Sequence, residues 1–228
     1  MWTLILLACA GGKDANDTAS IDNDGDGYTV VDDCNDDDAS INPGTEPTGD
    51  FLLEDGAWVM SIDAEDFNHC HNAVGNGLHI HTCENTDLEF TRTGGCVTAV
   101  VKNNPGEEDD ITLTGWTDGN TLSVQGTSPP PFETGTCFLL IDVSMEATLQ
   151  SGSTMEYRVD TELLVEKEGG FVNGEFVEIP GSCDLMVGDT NDHTFPELPC
   201  DQAWTGRALS GSAPDPIGSC ATGGPEGD

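Results

Sequence analysis

Aspartates in strict alternation give this sequence its clearest chemistry. Asp22, Asp24 and Asp26 alternate, Gly27 follows, and Asp33 lies eleven residues beyond Asp22. Calcium takes six to eight hard oxygens at about 2.3 to 2.6 Å, which a tightly coiled, carboxylate-rich loop delivers from contiguous sequence. Bare carboxylates crowded this closely repel one another by roughly 1 kcal/mol per close pair even in water. Without a cation the segment should splay. Asn35, Asp36, Asp37 and Asp38 repeat the chemistry just after Cys34, either completing a second ion or sharing the first. The expected ligands are the carboxylates of Asp22, Asp24, Asp26, Asp33, Asp36 and Asp38 and the backbone carbonyl of Tyr28, with calcium as the cofactor. The competing reading is a disordered acidic linker, the usual fate of a charge run.

The spacing resembles an EF-hand loop, with acids at positions 1, 3 and 5, glycine at 6, a carbonyl at 7 from Tyr28 and an acid at 12. Asp33 stands at the last position in place of the usual Glu, on a shorter stem. No amphipathic helix flanks the loop, because 15–20 is too polar and Pro43-Gly44 interrupts the exit, so a helix-loop-helix sensor is not expected. The segment is similar to thrombospondin type 3 repeats. It is more similar still to the short metal-binding motif of myxobacterial and related surface proteins, which runs D-x-D-G-D-G-Y, D-C-x-D-x-D, then I-N-P-G and an acid. Residues 22–28, 34–38 and 41–46 match it in order. The resemblance implies a calcium-stiffened stalk. In that family the cysteine commonly pairs with another soon after the proline turn; here the next is Cys70, so Cys34 either reaches into the main domain or stays free.

The first ten residues, MWTLILLACA, are apolar but far too few for a bilayer-spanning helix of about 20 residues. They read as a targeting signal or as a core strand. Leu6, Leu7, Ala8 and Cys9 resemble the lipobox of bacterial lipoproteins, which implies a diacylglyceryl group on the Cys9 thiol and cleavage before it. Ala10 in place of an Asp then points to the outer membrane or cell surface. Residues 10–20 are small and polar, as a flexible tether requires. Export fits the cysteine usage: nine are present, and with Cys9 set apart eight remain, an even number that reads as four disulfides among 105 possible pairings.

Charge narrows the partners further. Against 43 Asp and Glu stand six Lys and Arg, for a net charge of −37 in 228 residues. Nucleic acid and anionic lipid are excluded as partners, since both demand clustered cations. The expected partners are a membrane, reached through a lipid on Cys9, and an unidentified protein or glycan.

What must position the aspartates is a β domain. Residues 50–210 show period-two alternation with Gly, Asn and Asp punctuation, predicting antiparallel strands over 57–62, 77–83, 88–93, 96–102, 111–116, 121–125, 137–149, 155–166 and 202–209. One hairpin turns at Asp118-Gly119. A longer one sets Leu139, Ile141, Val143, Met145, Ala147 and Leu149 against Met155, Tyr157, Val159, Thr161, Leu163 and Val165 around Ser151-Gly152-Ser153. Each ribbon buries one face, so the fold is all-β, an antiparallel β-sandwich or a meander barrel, with the sandwich ranked first. Trp58, Trp116 and Trp204 read as core or sheet packing. Residues 21–49 form the calcium motif, and 211–228 a loop-like acidic tail.

Other chemistry finds little footing. His69, Cys70, His71, His79, His81 and Cys83 concentrate soft ligands; His79 and His81 share a strand face suited to zinc or copper. In an oxidising compartment Cys70 and Cys83 read instead as a disulfide. No G-x-S-x-G elbow or H-E-x-x-H helix occurs, and neither His193 beside Asp192 nor Glu65, Glu133 and Glu175 has a partner in sequence to make a catalytic set. The sequence therefore points to a non-enzymatic, calcium-stabilised, membrane-anchored surface lipoprotein with a structural or adhesion domain. Its alternatives are a lipocalin-like carrier of a small apolar ligand and a copper or zinc binder.

Overall fold

The structure is a computed structural model and describes residues 21–69, 85–102, 110–128, 137–172, 175–179 and 199–217. Nine strands follow one another: β1 (Gly56–Asn68), β2 (Asn85–Thr93), β3 (Cys96–Lys102), β4 (Ile111–Asp118), β5 (Thr121–Ser128), β6 (Cys137–Ser151), β7 (Thr154–Val172), β8 (Glu175–Glu178) and β9 (Cys200–Ser210). From β1 to β7 each strand pairs antiparallel with the next along one meander, and β9 pairs with both β7 and β1. The result is a closed eight-stranded antiparallel barrel. β8 pairs only with 169–172 at the end of β7 and stands outside the ring.

Closure decides between the two expected architectures in favour of the meander barrel, and the sandwich that ranked first is not formed. Period two reports only that each strand has one buried face, which both architectures satisfy. The distinguishing fact is β9, whose pairing with two strands at once leaves no sheet edge.

The long hairpin has the register its alternation predicts, with Leu149 opposite Met155, Met145 opposite Val159 and Ile141 opposite Leu163. The shorter hairpin turns one residue later than expected. Asp118 pairs with Thr121, leaving Gly119 and Asn120 as a two-residue loop with Gly119 at φ 56°. The strand expected over 77–83 lies outside the described residues, and β8, too short for a periodic signal, was not expected. β1 runs past its expected end at Ile62 because irregularities at Ile62/Ala64 and Glu65/Phe67 let it continue along β9.

Inward positions of all eight barrel strands join in one apolar cluster, including Trp58, Phe90, Val97, Leu113, Leu122, Met145, Met155 and Ala208. Burying a Leu, Met or Phe contributes roughly 1.5 to 3 kcal/mol each. The Trp58 and Phe90 rings meet edge to face at 5.6 Å, and the Trp58 indole N–H donates to the Glu54 carbonyl at 2.9 Å. Outward positions of β6 and β7 carry Asp142, Glu146, Glu156, Arg158 and Glu162. Charges facing lipid are penalised by up to about 2 to 4 kcal/mol each, so this wall is built for water.

Turns β2–β3, β4–β5 and β6–β7 all lie at one end of the barrel, and residues 41–55 are folded over that end. Ile41 and Leu53 are buried there, with Phe51 packed on the core. The Gly95 N–H donates to the Asn42 carbonyl at 3.0 Å, and the Glu54 N–H to the Gly152 carbonyl at 3.0 Å. Gly94, at φ 60°, lies so close beneath the Asn42-Pro43 turn that a Cβ would sit 2.7 Å from the Asn42 carbonyl oxygen. Two bonds between side chains complete the attachment: the Cys34–Cys96 disulfide, spanning a sequence separation of 62, and Arg92 Nη1 to Glu46 at 2.7 Å. The motif expected as a stalk is thus a cap fastened to the barrel. The sequence leaves Cys34 either reaching or free, and it reaches.

Candidate metal centre

The loop at 21–40 is organised around its own carboxylates. Asp24 Oδ1 accepts the Asp26 N–H at 3.1 Å, Asp26 Oδ1 the Tyr28 N–H at 2.8 Å, and Asp33 Oδ1 the Asn35 N–H at 3.0 Å. Each bond runs from the residue two places on, the local turn that short acidic side chains favour. It fixes the carboxylate and leaves the second oxygen free to point elsewhere. That second oxygen, Oδ2, is buried in all three residues without a hydrogen-bond partner among the described residues.

Asp24, Asp26 and Asp33 bring ligand oxygens within 4.8 Å of one another, as do Asp22, Asp24 and Asp36. The two triplets differ in kind. Asp22 accepts the Gly25 N–H at 2.6 Å and the Gly27 N–H at 3.1 Å, with both glycines at positive φ, 81° and 99°. Asp36 is clamped by Asn23, whose backbone N–H and side-chain amide donate at 3.1 and 2.5 Å. Asp22 and Asp36 therefore frame the loop, with each oxygen retaining a lone pair for a cation. Asp24, Asp26 and Asp33 carry the buried oxygens that nothing among the described residues satisfies.

Burial pushes the Asp24 carboxyl above its ordinary value, and the charges of Asp26, Asp33 and Asp22 push the same way against the opposing Asp26 N–H bond. A divalent cation would reverse this balance by supplying the missing positive charge. A hard-oxygen donor set with no ring nitrogen or thiolate suits calcium or magnesium over zinc.

Six of the seven expected metal residues lie in or beside the cluster. Asp38 lies outside both triplets: its Oδ1 accepts from the Ser40 N–H and hydroxyl at 3.0 and 2.7 Å, which hold its carboxyl below its ordinary value. Tyr28 has a second part that sequence spacing did not reveal, since its ring lies against Gly44, where a Cβ would sit 3.2 Å from the ring carbon bearing the hydroxyl. The tyrosine and the glycine of the motif thus pack on each other. Asn23 was missed as well, because its role depends on a residue thirteen positions away.

The remaining candidates separate clearly. Cys9, the tether, Cys70, His71, His79, His81, Cys83, Glu133, Asp192 and His193 lie outside the described residues. His69 is exposed and meets Asp201 through Nδ1 at 2.7 Å. Trp58 is core, Trp116 half-buried on the outer wall opposite Cys96, and Trp204 half-buried and packed on the core. Cys200, buried in the core, is also disulfide-bonded.

Fold and site together define a closed β-barrel with one end covered by residues 41–55 and, fastened to its outer wall through Cys34–Cys96, an acidic loop able to hold a metal ion. Compared with known proteins, the chain matches no family model, no curated protein and no solved structure.

Proposed function

We propose that this chain is a non-enzymatic, calcium-braced barrel of the bacterial exterior, held at the outer membrane or cell surface by a lipid on Cys9 and presenting its barrel to a protein or glycan partner. The supporting observation is the convergence of Asp24, Asp26 and Asp33, each with a buried oxygen that has no partner among the described residues. Asp22 and Asp36 complete the ligand set. Calcium supplies charge neutralisation and no bond chemistry; its effect is to hold the cap on the barrel. The lipobox-like run 6–9 and the disulfides support export.

Thermal unfolding of the oxidised protein tests the calcium reading. The melting temperature should climb with calcium concentration and fall back in chelator, since an ion held only by the folded form stabilises it by mass action. Asp24→Asn with Asp26→Asn should lose the shift while the β circular-dichroism signal stays. A melting temperature indifferent to chelator rejects calcium. The anchor is tested separately by metabolic labelling with a fatty-acid analogue: Cys9→Ser should lose the label and leave the membrane fraction.

A further inference from the structure

The loop at 21–40 is fastened to the outer face of the barrel at Cys34–Cys96, yet the two do not close on each other. Between them runs an open groove of about 710 Å³. Its floor is two cross-strand rows of β3, β4 and β5, Cys96–Trp116–Ser123 and Thr98–Thr114–Gln125. Outward positions of β6 and β7 are crowded with acids, whereas this floor carries no charge: it offers hydroxyls, one side-chain amide and the half-buried indole of Trp116.

The opposite wall is the loop itself. Val30 and Val31 line the groove with 44% and 70% of their surface exposed, although the indole that could cover them lines the same groove. Asp32 and Asp37 line it as well, both exposed and both outside the carboxylate triplets that converge on an ion, so a cation in the loop leaves them negative. No Lys or Arg is among the lining residues. A groove with apolar flanks, an aromatic ring and a wholly anionic rim, on a chain of net charge −37, is complementary to a long apolar stem that ends in a cation. Guanidinium suits it better than ammonium, because the planar group both stacks on an indole and pairs a carboxylate.

We propose that this groove binds an arginine-bearing segment of a partner protein. Asp32 and Asp37 pair the guanidinium groups, Val31 and Trp116 receive the arginine stems, and the hydroxyls and amide of the floor bond the peptide backbone. The assignment rests on the reading above, whose partner it narrows from a protein or glycan to a basic protein segment. A neutral glycan would use the hydroxyl floor but gain nothing from the charge of the rim.

The probe is the peptide acetyl-Leu-Arg-Leu-Arg-Gly-amide, titrated by calorimetry into the full oxidised chain in calcium at about 0.15 M salt, where exposed charges more than about 8 Å apart are largely screened. Saturable one-to-one binding is expected, and the analogue with uncharged citrulline for both arginines should bind about ten-fold more weakly. Asp32→Asn with Asp37→Asn should weaken the arginine peptide by a similar factor while keeping the calcium-dependent rise in melting temperature. Trp116→Ala should weaken it about three-fold, and Asp142→Asn with Glu162→Gln on the β6–β7 wall should change nothing. No saturable binding by the unmodified chain, equal affinity for the citrulline peptide, or displacement by the neutral sugar chitotriose overturns the arginine segment as occupant. Unchanged affinity in the folded loop variant, or equal weakening by the wall variant, overturns the groove as its place. Loss of the calcium-dependent rise in the loop variant would put Asp32 and Asp37 on the ion and overturn their pairing role. The two readings fail separately: a melting temperature that climbs with calcium in a chain that binds no peptide rejects the groove and keeps the ion.

Discussion

The barrel wall and the loop at 21–40 are both acidic, yet their carboxylates stand in opposite circumstances. On the wall, Asp142 faces Glu162 across β6 and β7, but period two turns both outward into water. In the loop, Asp24, Asp26 and Asp33 turn an oxygen inward, where it is buried and has no partner among the described residues. Charge count does not make a site. Convergence with loss of solvent does, because desolvated like charges repel far more strongly than hydrated ones.

The most severe way to break the comparison is to separate the two regions. Cys34→Ser with Cys96→Ser opens a link across a sequence separation of 62, and chain-entropy reasoning gives a loss of about 4 kcal/mol. Urea unfolding in calcium should show that fall in the midpoint. A loss under about 1 kcal/mol would mean that the loop is held to the barrel chiefly by its other contacts. Calcium acts next: at a hundred-fold excess over Kd it should add about 2.7 kcal/mol. Asp142→Asn with Glu162→Gln sharpens the contrast, because removing two wall acids should leave that increment intact. Loss of the increment would show that the barrel wall holds the ion.

Gly94 probes the seam between the regions. Its φ of 60° and its approach to Asn42 and Pro43 make Gly94→Ala unfavourable on two counts, with an expected loss of about 1 to 2 kcal/mol. Gly25→Ala is also at positive φ, 81°, with nothing within 4 Å of the added carbon. It should lack the clash and should act mainly on calcium affinity. Equal losses of stability from the two changes would mean that backbone conformation alone, and not the cap's contact with the barrel, sets the cost.

The sequence disclosed what is local. Alternation located the strands and the register of β6 with β7, and the Asp22-to-Asp33 spacing located the cluster. What it withheld is non-local. Ring closure depends on β9 pairing with β1 across more than a hundred residues, and the cap depends on Cys34 meeting Cys96 and on Pro43 meeting Gly94. Asp36 joins the cluster through Asn23, and Asp38, identical in type, does not, because Ser40 captures it first.

The smallest effect belongs to the barrel alone. Tyr157 donates its phenol to the Ser61 carbonyl at 3.0 Å, reaching it over Gly206, where a Cβ would sit 2.6 Å from the hydroxyl oxygen. Burial, with a smaller contribution from Asp63, raises its ionisation well above the ordinary 10.0. The unfolded chain therefore releases this proton at a lower pH than the folded barrel does. The associated stability is fully present below pH 10 and is lost as pH rises beyond it toward the folded value. Tyr157→Phe should cost about 1 kcal/mol at neutral pH through the lost hydrogen bond and should flatten the decline above pH 10. Calcium should leave the difference between the two proteins unchanged, since the loop and this phenol belong to separate parts of the fold. A difference that moves with calcium would show that bracing the cap tightens the barrel wall itself.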